Sequence, residues 1–410
     1  YQIVAAVGTL AILAVFTYVK GMWQAVPFVR EITYWFGMTG RSDNFMNGMI
    51  CSEDVLYFVV VVLLFLLMTI IRLQGRRQKV GFLTSVGKYL GVWGIAVVLA
   101  FVSSRPAFKG YYDATHTKMN TLTPNSQEII SQLKGGLTIT TYVNILDENN
   151  WVGFPENYNE DIRLFEQYTR FKPEIKMKYV YYYAPSVEPS FSDRFLELQG
   201  KERAEHICKI MELDFDMFLS TEEIDQIIDL KSEGYRFVRI LERENGQKTT
   251  LRLYNDMMKH PSETEITSAL KRFLVPAPKV AFLTGHGERN VNSAGERYYY
   301  TFARSIYFRQ SLINQGFDFR QVTLDEEIPE DINILVIADV REVLPEAHRK
   351  NLDAYIARGG NLLIAGEPKR QKYMNPLVEQ FGVRFMSGRL VSPSENFQSD
   401  FIMSKVTKEA

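Results

Sequence analysis

The chain has only two cysteines in 410 residues, Cys51 and Cys208, which excludes a disulfide framework and a multi-cysteine metal knuckle as the device that holds the fold together. Net charge is just as scarce: 47 Lys and Arg against 48 Asp and Glu leave −1, and a near-neutral chain has no electrostatic footprint for nucleic acid. Histidine is limited to five residues, few from which to assemble a zinc centre. No G-x-x-x-x-G-K-S/T phosphate-binding loop occurs, so the chain brings no ATPase of its own. Neither an initiator Met nor a charged n-region precedes the apolar run at Tyr1. That run is therefore expected to lie inside a longer polypeptide and not to be a signal peptide.

What the chain does have is apolar length near its start. Three segments stand out, "YQIVAAVGTLAILAVFTYV" (Tyr1 to Val19), "VLYFVVVVLLFLLMTII" (Val55 to Ile71) and "VGKYLGVWGIAVVLAFV" (Val86 to Val102). Each is roughly 17 to 19 residues, just adequate to cross a hydrocarbon core at about 1.5 Å per residue. The second is apolar on every side and leaves no solvent face, which argues against a buried core helix. The connector "RLQGRRQK" carries Arg72, Arg76, Arg77 and Lys79 with no acidic residue, so the positive-inside rule places it in the cytoplasm. The chain after about Ser103 is then expected on the extracytoplasmic side. Between the first two spans lies an outer loop with Trp23, Tyr34, Trp35 and Phe36, a density of aromatics suited to short helices at the headgroup level.

Beyond the spans the punctuation is that of soluble α/β structure. Thr123 fits an N-cap, Pro124 a first helical position, and Gly135 with Gly136 a helix stop. "LTITTYVN" (Leu137 to Asn144) and "IKMKYVYYYA" (Ile175 to Ala184) alternate like strands around a helical stretch at Asp161 to Phe171, an order that predicts a parallel pair. Asn245-Gly246 marks a hairpin between "YRFVRILE" and "TTLRLY". Ser262 and Glu265 form a capping box for "ETEITSALKRFL", and Pro276 and Pro278 place a domain boundary at about 275 to 278.

A second unit then opens with "KVAFLTGHGERN". A long aromatic helix is expected from Glu296 to Gln315, with Tyr298, Phe302, Ile306, Phe308 and Leu312 as a core-facing stripe. "INILVIA" (Ile332 to Ala338) and "NLLIAGEP" (Asn361 to Pro368) read as buried parallel strands flanking a helix from Pro345 to Gly359. Repeated strand, helix, strand units imply an open doubly wound sheet.

Two resemblances rest on these stretches. "NFMNGMICSEDVLYF", with Phe45, Gly48, Asp54, Val55, Tyr57 and Phe58 in place before a very apolar helix, resembles the approach to the last span of an ABC-2 type transporter permease. "HTKMNTLTPNSQEIISQLKGGLTITTYV", "SETEITSALKRFL", "KVAFLTGHGER" and "ILVIADVREVLPEAHRKNLDAYIARGGNLLIAGEP", in that order, are similar to the auxiliary component of ABC transporters associated with bacterial gliding motility. Together they imply residues 1–75 as the last two permease spans with a re-entrant outer loop, and 76–110 as a third helix that anchors the auxiliary region. They imply 111–277 as a first extracytoplasmic α/β domain, and 278–410 as a second, truncated one, doubly wound and class I glutamine amidotransferase-like. The implied setting is the bacterial inner membrane, multi-pass, with a cytoplasmic ABC ATPase as partner, a homodimer or permease dimer, and an envelope protein or glycan as a possible contact. No cofactor is implied.

Whether the second domain does chemistry turns on its nucleophile. After "ILVIA" come Asp339, Val340 and Arg341 with no thiol or hydroxyl, and Cys208 precedes the domain, so the hydrolytic elbow such a fold would use lacks its residue. The chain is thus read as a non-catalytic transport subunit. The loop Gly285, His286, Gly287, Glu288, Arg289, with Glu367, sits where open α/β sheets place ligands. Three readings stay open for it: a tight turn with His286 and Glu288 hydrogen-bonded locally, a ligand or partner contact, or a metal or hydrolytic site. The last would make the chain a membrane-anchored envelope hydrolase or glycan-processing enzyme.

Overall fold

The structure is a computed structural model that describes residues 2–19, 26, 29, 33, 37–38, 40–78, 81–103, 105, 108–187, 198–295, 297–388, 390–393 and 395–402. Trp23, Trp35 and Lys79 lie outside the described residues, with most of the aromatic loop. By its contacts the chain divides into two compact units, Tyr1–Leu253 and Tyr254–Ala410.

The first unit begins with α1 (Gln2–Tyr18), α2 (Arg41–Met46) and the short β1 (Met49–Cys51). Two long helices come next, α3 (Ser52–Arg77, 26 residues) and α4 (Phe82–Ser103, 22 residues). At about 1.5 Å per residue they reach ~39 and ~33 Å, enough for a hydrocarbon core of about 30 Å. Only 11% and 6% of their most apolar stretches are buried, so neither is a core helix of a soluble domain. α1, with 17 residues, is apolar but shorter. α3 and α4 pack side by side, and the chain before α3 meets the chain after α4. There β1 pairs antiparallel with β2 (Tyr111–Asp113), Cys51 opposite Tyr111 and Met49 opposite Asp113.

The soluble part of this unit is a mixed sheet in the order β4-β3-β5-β6, formed by β3 (Leu137–Asn144), β4 (Ile175–Tyr182), β5 (Val238–Arg243) and β6 (Lys248–Arg252). β3 and β4 are parallel, as the strand, helix, strand order predicts, and their crossover carries α5 (Tyr158–Arg163) and α6 (Glu166–Phe171). β5 and β6 are the hairpin across Asn245-Gly246, with Gly246 at φ 83°. Central β3 is buried almost throughout, packing Val143 beneath Phe237 and Leu253 and Tyr142 beside Val238 and Ile240. Within this core Arg239 of β5 is fully buried and ion-paired with Asp161 of α5, whose second oxygen accepts the Tyr179 hydroxyl at 2.5 Å. Among the described residues Arg239 Nε and Nη1 have no hydrogen-bond partner, and the guanidinium lies 5.2 and 5.0 Å from the Phe165 and Phe237 rings.

The second unit opens with α7 (Glu263–Lys271), which carries the expected Ser262/Glu265 capping box. Arg309 holds this helix to the unit's sheet domain. It forks onto Asp256 (2.6 and 2.9 Å), donates to Glu265 (3.1 Å) and lies over the Tyr254 ring at 4.5 Å. Arg272 adds a pair to Asp318 at 2.8 Å. The contact division therefore falls ahead of α7, whereas the prolines mark residues 275 to 278; the two differ by the helix that Arg309 claims.

Its sheet is all parallel in the order β10-β9-β7-β8, formed by β7 (Lys279–Leu283), β8 (Asp318–Val322), β9 (Ile332–Ala338) and β10 (Asn361–Ala365). Alternate residues build a core on each face. Val280, Phe282, Val336 and Ala338 meet Val291, Ala303 and Leu312 on one side. Ala281, Leu283, Leu335 and Ile337 meet α8 (Glu346–Ala357) and α9 (Gln371–Val378) on the other, through Leu352, Tyr355, Met374 and Leu377.

Two expectations fail here. The long aromatic helix is a single short turn of helix, Tyr300–Arg304, followed by irregular chain. Ser311 Oγ and Asn314 Nδ2 both donate to the Ser305 carbonyl (2.7 and 3.1 Å), and such side-chain bonds compete with the helical ladder. Of the expected stripe Leu312 is buried, while Tyr298, Phe302 and Phe308 stay 40% or more exposed. β10, expected as a buried strand, is the sheet's edge, with Leu363 half exposed.

Two outcomes test these cores. Asp161→Asn leaves Arg239 buried without its counter-charge and should cost about 3–5 kcal/mol, read by urea unfolding of the chain in detergent; the Asp161→Asn/Arg239→Met pair should recover most of that loss. In the second unit the Arg309 hydrogen bonds hold the Asp256 carboxyl down, from 3.8 to about 2. A depressed acid contributes stability that is complete above its unfolded value and lost as pH falls through its folded one. The advantage of wild type over Asp256→Asn in thermal melts should therefore hold at neutral pH and vanish as pH is lowered from about 4 to about 2.

Candidate functional site

The 285–289 loop leaves β7 at the carboxyl edge of the parallel sheet, with β8 on one side of that strand and β9 on the other. The chain steps into the left-handed region twice, at Gly285 (φ 119°) and Gly287 (φ 77°). Gly287 has a second constraint, since a Cβ there would lie 3.0 Å from Arg341 Cβ. The turn is stitched to the neighbouring strand's end by backbone: Arg289 N–H donates to the Ala338 carbonyl (3.0 Å) and Arg341 N–H to that of His286 (2.9 Å).

Its side chains fold inward. Glu288 curls back so that its carboxylate accepts the His286 N–H at 2.7 Å and contacts His286 Nδ1 at 3.1 Å, and the two side chains are 1% and 4% exposed. His286 Nε2 meets His348 Nδ1 of α8 at 2.8 Å, and His348 Nε2 reaches Asp325 at 3.2 Å. A carboxylate, two imidazoles and a carboxylate thus form a line from the interior to the surface. The two contacts with hydrogen-bond geometry, His286 with Glu288 and His286 with His348, need one ring N–H each, which two neutral imidazoles supply. Arg289 pairs with Glu367 beyond β10. The loop therefore brings all of Gly285, His286, Gly287, Glu288, Arg289 and Glu367 to one edge, with His286 and Glu288 turned toward each other and away from solvent. Among the described residues no group of three or more His, Cys, Asp or Glu is placed to hold a metal ion.

Next to the loop, Asp339 follows β9 with φ 60°, a conformation unusual outside glycine. Its N–H donates to the Ala365 carbonyl at 2.7 Å, and its buried carboxylate faces Arg341 at 3.7 Å and Arg370 at 3.8 Å. His348, Asp325, Asp339 and Arg370 carry no sequence signal. His348 is 62 residues from its partner, in an ordinary amphipathic helix, and Asp339 follows an apolar strand where many residue types could stand.

The residues read as a permease motif, Gly48 and Asp54 among them, do structural work in the first unit. Gly48 (φ 80°) lets Thr115 approach, with a Cβ there 2.8 Å from Thr115 Cγ2, and its carbonyl accepts the Ala114 N–H at 2.8 Å. Asp54, in the first turn of α3, accepts from Arg41 Nη1 (3.0 Å) and Asn44 Nδ2 (2.8 Å). Arg41 lies 4.5 Å over the Tyr57 ring, and Phe45 packs on Phe58 at 6.1 Å. Arg76 and Arg77 sit in the last turn of α3, with Arg72 one turn earlier, where cations favour the helix dipole. Cys51 and Cys208 are both free and buried. Burial pushes their thiols up to about 12 and about 11, Asp54 adding to the first and Asp214 to the second, the opposite of an activated nucleophile.

If the 285–289 loop is a turn held by its own side chains, Glu288→Ala and His286→Ala each strip a buried partner and should lower stability by about 1–3 kcal/mol. A site built for a ligand would instead lose binding with the melting temperature unchanged. Circular-dichroism melts of the two variants separate these outcomes.

Residues 277–407 match the model of a family described as an ABC-type uncharacterized transport system. No curated protein and no solved structure matches the chain. The matched segment contains the whole parallel sheet with its 285–289 loop, and it relates this part of the chain to an auxiliary component of ABC transporters.

Proposed function

We propose that the chain is a permease and auxiliary subunit of an ABC transporter, of the gliding-motility type, in which a separate cytoplasmic ABC ATPase supplies the energy. The observation that carries this reading is the family match over 277–407 in a chain that also holds two helices long and apolar enough to cross a membrane. On this reading α3 and α4 are a permease-derived last span and an anchor helix. The Arg72, Arg76, Arg77 end lies in the cytoplasm of an inner-membrane, multi-pass protein, and both sheet-bearing regions stand outside. The parallel sheet with a core on each face supports a doubly wound, amidotransferase-like domain kept without hydrolytic chemistry, since Asp339 stands where a nucleophile would be needed. The subunit then works as a dimer facing two ATPase domains, and its outer domains engage a substrate, an envelope protein or a glycan.

The inward-facing His286 and Glu288 do not favour the hydrolase alternative, because neither side chain is presented to a substrate. Co-expression with the neighbouring ABC ATPase in lipid nanodiscs tests the proposal. Stable co-purification with altered, vanadate-sensitive ATP turnover is the expected result; an ATPase that neither binds the chain nor changes its rate refutes it.

A further inference from the structure

Beside the β1–β2 ladder the first unit contains a cavity of about 320 Å³. Three parts of the chain wall it: Arg41, Glu53 and Asp54 around the start of α3, Lys109 after α4, and Arg163, Glu166 and Arg170 from α5 and α6. Asp54 directly precedes Val55, where the uninterrupted apolar run of α3 begins. With α3 read as a span, this side of the cavity stands at the level where the helix enters hydrocarbon. The volume is at the low end for small-molecule sites, enough for a headgroup and too little for a macromolecular segment.

The lining selects the charge of the guest. Four cations face three carboxylates in the lining, and Glu160, just outside it, pairs with Arg163. Arg41 is committed to Asp54 and Glu53 (3.0 and 3.5 Å). Lys109 meets Glu53 at 2.6 Å, which leaves ammonium donors to spare. Arg170 is nine-tenths buried. It donates to the Asn120 carbonyl (3.0 Å) and pairs with Glu166 (3.3 Å), but among the described residues its Nε has no hydrogen-bond partner. A buried guanidinium short of acceptors is costly, and an anion in the cavity beside it offsets its charge. Arg163 is half exposed and, among the described residues, held by Glu160 one turn away (2.9 Å), an exposed pair that yields readily to such a guest.

We infer that this cavity holds the phosphodiester headgroup of a membrane amphiphile whose acyl chains stay in the bilayer beside α3 and α4. A phosphodiester carries one negative charge and two unesterified oxygens, acceptors for the spare donors of Lys109 and for Arg163 once it leaves Glu160. The inference rests on α3 and α4 crossing a membrane, and it needs no ATPase partner.

Native mass spectrometry of the full chain in detergent tests it. Phosphatidylglycerol, diacylglycerol and inorganic phosphate are titrated separately into wild type, Lys109→Gln, Arg163→Gln and the remote Lys178→Gln. The expected result is one phosphatidylglycerol retained at least about tenfold more tightly than diacylglycerol, weakened about tenfold in Lys109→Gln and Arg163→Gln and unchanged in Lys178→Gln. Millimolar phosphate should displace part of the lipid. Retention of phosphate with no preference for phosphatidylglycerol over diacylglycerol overturns the amphiphile and makes the guest a soluble phosphate. Equal retention of phosphatidylglycerol by wild type and both cavity variants overturns the site itself. Arg163 is half exposed, so its variant keeps the test valid if Lys109→Gln fails to fold, and thermal melts confirm which variants are intact.

Discussion

A three-residue antiparallel ladder, Met49–Cys51 against Tyr111–Asp113, is the constraint on which the first unit depends. α3 and α4 pack side by side, which brings the start of one near the end of the other but does not orient the segments beyond them. The ladder does. It fixes residue 111 opposite residue 51, and Ser52 locks the next position by accepting the Gly110 N–H (2.7 Å) while its own N–H donates to the Gly110 carbonyl (2.8 Å). Asp113 then nucleates the turn that leads into the soluble sheet. Burial pushes its carboxyl up, but donors from Thr115, Asn120 and Thr121 outweigh that and hold it well below the usual carboxylate range.

The same ladder explains the small and polar residues before α3. Gly48 is needed because the backbone is left-handed there and Thr115 lies against it. Asp54, at the positive end of the helix dipole, is held by Arg41 and Asn44 at a depth where an unpaired charge would be expensive. The residues before α3 are thus accounted for by packing and electrostatics at the start of that helix, and the cavity beside them results from closing three charged walls around it.

In the second unit burial of charge plays a comparable part. Arg309 gathers Asp256, Glu265 and the Tyr254 ring, so that α7 belongs to this unit despite the prolines after it. At the sheet's carboxyl edge, His286 and Glu288 satisfy each other while Arg289 and Arg341 tie the turn to the end of β9. Two glycines make the turn possible, and the side chains between and after them close it.

Periodicity and punctuation in the sequence determined the elements: the membrane-length helices, the parallel pair Leu137–Asn144 and Ile175–Tyr182, the Asn245-Gly246 hairpin, the Ser262/Glu265 cap and the strands of the second sheet. These are local consequences of hydrophobic spacing, capping chemistry and φ preference, so neighbours in sequence suffice to specify them. The long helix read from Glu296 to Gln315 failed because hydroxyl and amide side chains took its Ser305 carbonyl, a competition that aromatic spacing does not report. The burial of β10 was misread because an apolar strand looks the same at the centre of a sheet and at its edge. Only the tertiary structure decided that His286 would meet His348, that Asp339 would stand strained between two arginines, and that Arg41, Lys109 and Arg170 would wall one cavity. Each of these joins residues far apart in sequence, whose proximity is set by sheet order and by the return of the chain through α3 and α4, and no local pattern encodes a distance of that kind.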